Sequence, residues 1–277
     1  MVAETIVEAP DATTLVLFTG NDRLDYKAGH FLTIDPHQFP ALQRFIDFLE
    51  DLKGAQEPPR AYSMASAPHE PYLAFTVKEE RYVSGATKYP PLLSPLLTKR
   101  TVRGMRLQIT GFTGPYTLPD EIDPSIDHLV HVCAGSGIVP NFSILKHALL
   151  EHPQLRHTLV YSNKTWEDVI FRAELERLEA ANPDRLKLLH SLTREPRAEL
   201  QGPNVRSGRV GLELLREAIP DPERCLVYLC GPAISKWDRL AAKQSGTAPA
   251  PRFLETALEA LRTLGVDNRR IKRESYG

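Results

Sequence analysis

Thiols are scarce in this chain: three cysteines, Cys133, Cys225 and Cys230, stand among 277 residues without a C-x-x-C pair. A disulfide framework and an iron–sulfur cluster within the chain are both disfavoured, since a cluster takes about four thiolates. Charge imbalance is also lacking. With 34 basic and 35 acidic residues the formal net charge is -1, which provides no electrostatic pull toward nucleic acid or a membrane surface. No apolar run approaches the roughly 20 residues that span a bilayer. Residues 1–10 carry two Glu and no basic n-region, so a signal peptide is not expected and cytoplasm is the default location. Nine His are scattered without metal-ligand spacing, and His30, His131 and His190 read as structural. What remains is an ordinary globular composition, 42% hydrophobic and 25% charged, long enough for two domains.

The first part reads as β-rich. Strand candidates are Thr13–Thr19, ending at the turn Gly20-Asn21, then Phe31–Ile34, Leu73–Val77 and the alternating Met105–Thr110. Short strands at this spacing predict a small antiparallel β-barrel. One segment breaks the rhythm: Phe39–Lys53 sets Leu42, Phe45, Ile46 and Leu52 at helical intervals before a Gly54 stop, and reads as an inserted helix. The acidic, Pro-containing stretch Pro119–Asp127 marks a domain boundary, giving domains 1–120 and 121–277. Beyond it, strands at His128–Cys133, Leu159–Tyr161, Leu186–Leu189 and Leu226–Cys230 alternate with helices near Asn141–Glu151, Glu167–Ala181, Leu212–Ala218 and Arg252–Leu264. That alternation predicts an α/β domain with a parallel sheet covered on both faces. Gln244–Pro251 reads as a loop.

Three short motifs punctuate this plan. Arg60-Ala61-Tyr62-Ser63 follows the inserted helix; residues two apart on a strand share a face, so Arg60 and Tyr62 point the same way. Gly135-Ser136-Gly137-Ile138-Val139-Pro140 joins an apolar strand to a helix, where glycines let the backbone approach a ligand and helix-end amides face anions. Cys230-Gly231-Pro232 closes a strand, the place where open α/β sheets bind ligands.

In kind, order and spacing these motifs resemble the ferredoxin–NADP reductase superfamily, over nearly the whole chain. The resemblance implies an FAD-binding barrel and an NADP-binding α/β domain. Arg60 would hold the flavin pyrophosphate by forked contacts, Tyr62 would stack on the ring, and the Ser63 hydroxyl, exposed at a strand end, would reach the reactive edge. Ala61, Val77 and Lys78 join the flavin set. Ser94, an N-cap followed by Pro95, stands where the family has a Gly-x-x-Ser/Thr helix start; the Gly pair is missing, although Gly85 lies upstream. Gly135, Ser136, Gly137, Val139 and Pro140 match the family's nucleotide turn, with Val139 where Thr is frequent. Thr193-Arg194-Glu195 resembles the S/T-R-E of NADP-specific members, and Ser162, Asn163, Lys164, Arg206 and Arg209 lie at neighbouring strand ends or loops. NADP is therefore expected, with NAD as the alternative. Cys230 would lie against the nicotinamide, followed by Gly231 and Pro232, whereas Cys133 and Cys225 read as core. In the terminal run Arg273–Gly277, Glu274 would lie near the nicotinamide, while Tyr276 is either a flavin shield or the close of the last strand.

The implied reaction is hydride transfer from NADPH to FAD, then single electrons to a separate acceptor protein, a ferredoxin or an oxygenase component. Ser63, Cys230 and Glu274 are the candidate catalytic residues. A flavin or quinone reductase, and a non-enzymatic redox regulatory subunit, are the competing readings. Oligomeric state and the roles of 39–53 and 233–251 stay open.

Overall fold

The computed structural model describes residues 1–20, 22, 24–82 and 89–276; Asn21, Gly85 and Gly277 lie outside the described residues. The chain divides into two units, Met1–Thr117 and Leu118–Gly277.

In the first unit, β1 (Val2–Ala9), β2 (Ala12–Leu17) and β5 (Leu73–Lys78) form one antiparallel sheet, in the order β1-β2-β5. A second sheet, β4-β3-β6, is built from β3 (Phe31–Ile34), β4 (Arg60–Ser63) and β6 (Thr110–Thr113). The sheets share one core, in which Leu15, Leu32, Ile34, Phe75 and Leu97 are fully buried. A Met64–Phe75 bridge stitches them together. The expected barrel is not closed. Of the predicted strand Met105–Thr110 only Thr110 is ladder-paired, as the first residue of β6, while Met105, Leu107 and Ile109 pack against the core. Its backbone partner at Gln108 is instead the side-chain amide of Gln38, which donates to the Gln108 carbonyl at 2.9 Å and accepts from its N–H at 2.7 Å.

The insertion begins as short 3₁₀ turns at Pro36–Gln38 and Pro40–Leu42, and becomes helix α1 only at Gln43–Lys53. Ile46 and Leu49 are its fully buried residues; Leu52, expected inward, is 56% exposed. Gly54 ends the helix in the left-handed conformation, φ 65°, with its N–H on the Glu50 carbonyl. The short helix α2 spans Ser94–Lys99.

The second unit is a six-stranded parallel sheet. Its strands are β7 (His128–Ala134), β8 (Arg156–Asn163), β9 (Leu186–Leu192), β10 (Val205–Ser207), β11 (Cys225–Pro232) and β12 (Ile271–Tyr276), in the order β10-β9-β8-β7-β11-β12. Helices α3 (Ile138–Glu151), α4 (Arg172–Ala181), α5 (Leu212–Ala218), α6 (Lys236–Ser245) and α7 (Phe253–Thr263) connect them. Val130, Val132, Val227 and Leu229 pack under α5 and α7. Alternate residues of the same strands face α3, where His131 meets Asn141. Parallel order runs outward from β7 through β8 in one direction and through β11 in the other. The switch point therefore lies where β7 and β11 end.

Candidate functional site

On β4 the register pairs Arg60 with Ile34 and Tyr62 with Leu32, which sets both side chains on one face. Tyr62 is half-buried, its ring centroid 5.6 Å from that of Phe75, and burial followed by the nearby Glu80 pushes its hydroxyl well above the usual tyrosine range. Arg60 is already engaged: its guanidinium donates to the Glu57 carboxylate and to the Pro58 carbonyl, each at 2.5 Å. Two of its five N–H donors are thereby used. Ala61 is exposed. Ser63 ends the strand but is only 6% exposed, contrary to the expected open hydroxyl, because the chain continues directly into the Met64–Phe75 bridge between the sheets. Val77 is buried, and Lys78 pairs with Asp11 at 2.9 Å.

Ser94 corrects a second expectation. It is the first residue inside α2, not its N-cap, which is Leu93. The Ser94 hydroxyl accepts the Glu80 N–H at 3.0 Å and so ties the helix start to the end of β5.

At the switch point, Gly135–Gly137 form one 3₁₀ turn that runs into α3 at Ile138, three residues before the predicted start. Pro140 thus falls within the first helical turn, where a missing N–H costs nothing. Gly135 has φ +54°, and a Cβ there would meet open space. Gly137 is required for a different reason: a Cβ would lie 2.3 Å from the Cys230 carbonyl oxygen. That contact fixes the turn against the end of β11. Val139 and Pro140 are buried.

Two side chains that the sequence reading did not assign hold this turn by its carbonyls. The Tyr161 hydroxyl donates to the Gly135 carbonyl at 3.0 Å and accepts the Ile170 N–H at 3.3 Å. The Asn141 amide donates to the Gly137 carbonyl at 2.9 Å, and its oxygen lies 3.1 Å from His131 Nδ1. Their signal was visible only as ordinary strand and helix residues; register alone brings them under the glycines. Burial holds His131 neutral, down to about 4.

The ends of β8 and β9 lie side by side. Thr193 donates through both its N–H and hydroxyl to the Asn163 carbonyl, at 3.0 and 3.2 Å, and the Arg194 N–H donates to the Lys164 carbonyl at 2.8 Å. Ser162 and Asn163 are buried, whereas Lys164, Thr193 and Arg194 are exposed. Arg206 is drawn away, to the Gly202 carbonyl and Glu217; Arg209 is exposed. Glu195 points back into the fold: Arg197 holds it at 2.7 and 3.0 Å and the Trp166 N–H at 2.8 Å, which depresses its carboxyl to about 2.

In parallel register, Cys230 stands beside Glu274, Gly231 beside Ser275 and Pro232 beside Tyr276. Tyr276 is therefore the last residue of β12. Cys230 is fully buried; burial first, then Glu274 and Cys133, push its thiol well up. A thiol kept protonated in this way is not poised to act as a nucleophile. Gly231 is glycine because a Cβ would come within 2.6 Å of the Phe253 ring. Among the described residues no cluster of His, Cys, Asp or Glu has metal-binding geometry, and no helix is long and apolar enough to cross a membrane. Two cavities, about 380 Å³ beside Tyr26 and Glu70 and about 610 Å³ beside Asp221 and Arg270, contain none of the site residues above.

Residues 131–235 match the oxidoreductase NAD-binding domain family. Human NADH-cytochrome b5 reductase 2 is 32% identical over 108 residues, 38% of this chain and 38% of that protein. An NADH-cytochrome b5 reductase 2 of Coccidioides immitis is 27% identical over 217 residues, 76% of this chain and 60% of that protein. The chain thus spans less than two thirds of the length of either relative. Among solved structures, the FAD/NAD-binding domain of nitric oxide dioxygenase from Vibrio cholerae superposes with a TM-score of 0.71 at 23% identity, covering 100% of this chain and 97% of that one. The cytochrome b5 reductase domain of Ulva prolifera nitrate reductase gives 0.71 at 20% identity, covering 99% and 95%.

Proposed function

From the premise that the chain is, by fold, a member of the ferredoxin–NADP reductase superfamily, we propose that it is an FAD-containing NAD(P)H reductase serving a separate one-electron acceptor protein. The observation that carries this reading is the constellation at the switch point. A glycine turn with open space over Gly135 is locked by Gly137 to Cys230, and Glu274 stands in register beside that cysteine. The donor set fits a dinucleotide: backbone amides at the start of α3 for its diphosphate, and a compact neutral thiol for the nicotinamide face. A bound flavin would accept a hydride from reduced nicotinamide and release the two electrons singly.

The chain's own residues bind and orient. Arg60 offers its remaining N–H donors to the flavin pyrophosphate, with Ser94 at the neighbouring helix start, and Tyr62 gives the ring an aromatic face. Ala61, Ser63, Val77 and Lys78 complete that side. Gly135, Ser136, Gly137, Val139 and Pro140 take the nucleotide diphosphate through their backbone, and Cys230, Gly231, Pro232 and Glu274 border the nicotinamide. Tyr276, which closes β12, is kept in the cofactor-binding set. Lys164, Thr193 and Arg194, exposed together with Ser162 and Asn163 beneath them, favour the 2′-phosphate of NADP over NAD. A ferredoxin or an oxygenase component is the acceptor class we assign.

The test is an absorbance spectrum of the purified protein, then anaerobic addition of NADPH and, separately, NADH. Flavin bands at about 375 and 450 nm that bleach faster with NADPH support the reading. A colourless protein that takes up no added FAD overturns it.

A further inference from the structure

The inserted segment does more than decorate the N-terminal unit, because a continuous chain of polar contacts runs from it to Arg60. His37 Nδ1 lies 2.6 Å from Asp35 and its Nε2 2.9 Å from Glu50 on α1. The same Glu50 oxygen accepts the Glu57 backbone N–H at 2.8 Å. Glu57 has a side chain only 1% exposed; one carboxylate oxygen meets Lys53 of α1 and the other meets Arg60. Pro58 and Pro59 fill the gap between Glu57 and Arg60, fixing two successive φ angles. The underside of α1 packs Ile46 and Leu49 on Leu92, and Lys53 lies 4.6 Å from the Tyr89 ring centroid. One helix therefore braces both segments assigned to the flavin pyrophosphate, Arg60 and the approach to Ser94.

The charges decide what this brace does. A buried carboxylate survives only when paired, and here one negative charge is shared between two cations. The Lys53–Glu57–Arg60 group keeps a net charge of about +1 by simple count, so Glu57 fixes the guanidinium without cancelling its attraction for an anion. Both contacts from Arg60, to Glu57 and to the Pro58 carbonyl, fall on its terminal nitrogens. A guanidinium held this way gives up little rotamer freedom when phosphate arrives.

We infer that Glu57 is the positioning residue of Arg60, and that the segment 36–57, which contains the inserted helix, is the scaffold preorganising this arginine for the flavin pyrophosphate. The inference rests on the reading of Arg60 as a flavin residue, and it gives the insertion a role in cofactor retention.

The experiment compares FAD with riboflavin, which has the ring but no phosphate, for binding to the flavin-stripped full-length protein. The proteins are wild type, Glu57→Ala, Glu57→Gln, Glu50→Gln and, as reference, Arg60→Ala. Loss of one charge-assisted contact predicts FAD binding weaker by about tenfold in Glu57→Ala, with riboflavin unchanged. Glu57→Gln and Glu50→Gln keep part of the geometry and should lose only about threefold. A generally loosened fold would weaken both ligands alike and overturn the proposal. Unchanged or tighter FAD binding in Glu57→Ala, alongside a defect in Arg60→Ala, would make Glu57 a bystander or a competitor and also overturn it. Should Glu57→Ala fail to fold, the two Gln variants decide by the same ratio. A wild type that binds neither flavin refutes the reductase reading itself. Equal FAD and riboflavin losses in Arg60→Ala refute the assignment of Arg60 and, with it, that of Glu57.

Discussion

The two places proposed to meet the cofactors' phosphates are built by opposite means. Around Arg60 the work is done by side chains: a guanidinium, a buried carboxylate, a lysine and a helix inserted to hold them. Around Gly135 it is done by backbone, with side chains used only to pin two carbonyls from below. A side-chain site can be retuned by changing one charge. A backbone site is sensitive instead to volume, because any atom added at Gly137 meets the main chain of β11.

Acid should separate the two regions most strongly. Burial, the leading cause in each case, pushes His128, His131 and His190 down to about 4 and His157 to about 2, all in the C-terminal unit. These groups are neutral when folded, while the unfolded chain takes up their protons below about pH 6.5. The stability they confer is whole above that pH and falls as pH drops toward about 4, by about 1 kcal/mol per histidine near pH 5.5. Glu57, by contrast, is held below the ordinary carboxylate range: burial, the largest influence, raises it, but the hydrogen bonds from Lys53 and Arg60 together prevail. Its contribution is present above the usual Glu value and is lost only as pH falls below that. Both tryptophans, Trp166 and Trp237, belong to the C-terminal unit. Thermal unfolding followed by their fluorescence should therefore shift down between about pH 7 and 5.5, whereas a fluorophore placed in the N-terminal unit should lag. Coincident shifts would erase the contrast.

The next largest effect is expected from Gly137→Ala. A Cβ at 2.3 Å from a backbone oxygen requires the turn or β11 to move, at a cost of about 3 kcal/mol, the upper end for overpacking. Calorimetry and nucleotide titration should show lower stability and lost nucleotide binding, with the flavin retained. Arg194→Ala comes third. Removing this exposed cation should leave the melting temperature unchanged, yet raise the KM for NADPH by about tenfold and leave that for NADH alone. An equal rise for both would remove Arg194 from the 2′-phosphate. The smallest is Tyr161→Phe, which strips one donor from the Gly135 carbonyl and should cost about 1 kcal/mol. Isothermal titration would register it as weaker nucleotide binding with flavin content intact.

Much of the plan was legible. The β-then-α/β order, the glycine turn after β7 and the C-G-P exit of β11 are local signals, and each falls where its pattern placed it. The misses share a cause. β1 (Val2–Ala9) exposes Glu4 to Val7, so although it pairs with β2 along its length and bonds Gly104 and Met105 through Val2, it shows no buried stripe. Helix α6 buries only Ala242 and stands on its ends, a Ser235–Asp238 capping box and a left-handed Gly246. Neither buries the stripe of side chains by which an element is usually anchored. Met105–Thr110 had the right alternation and the wrong consequence, because a glutamine 70 residues away supplies the bonds a strand would have supplied.

By itself, then, the amino-acid order determined which segments become strands and helices wherever a face is buried, and which short motifs can meet phosphate or a ring, since those depend on neighbours within a few residues. Tertiary structure alone decided that Ser63 is buried, that Ser94 binds Glu80 rather than capping its helix, that Arg60 is held by Glu57, and that Tyr161 and Asn141 grip the turn. Each of these depends on register between distant elements, and no local pattern encodes where a second strand or an inserted helix will bring its hydrogen-bonding groups.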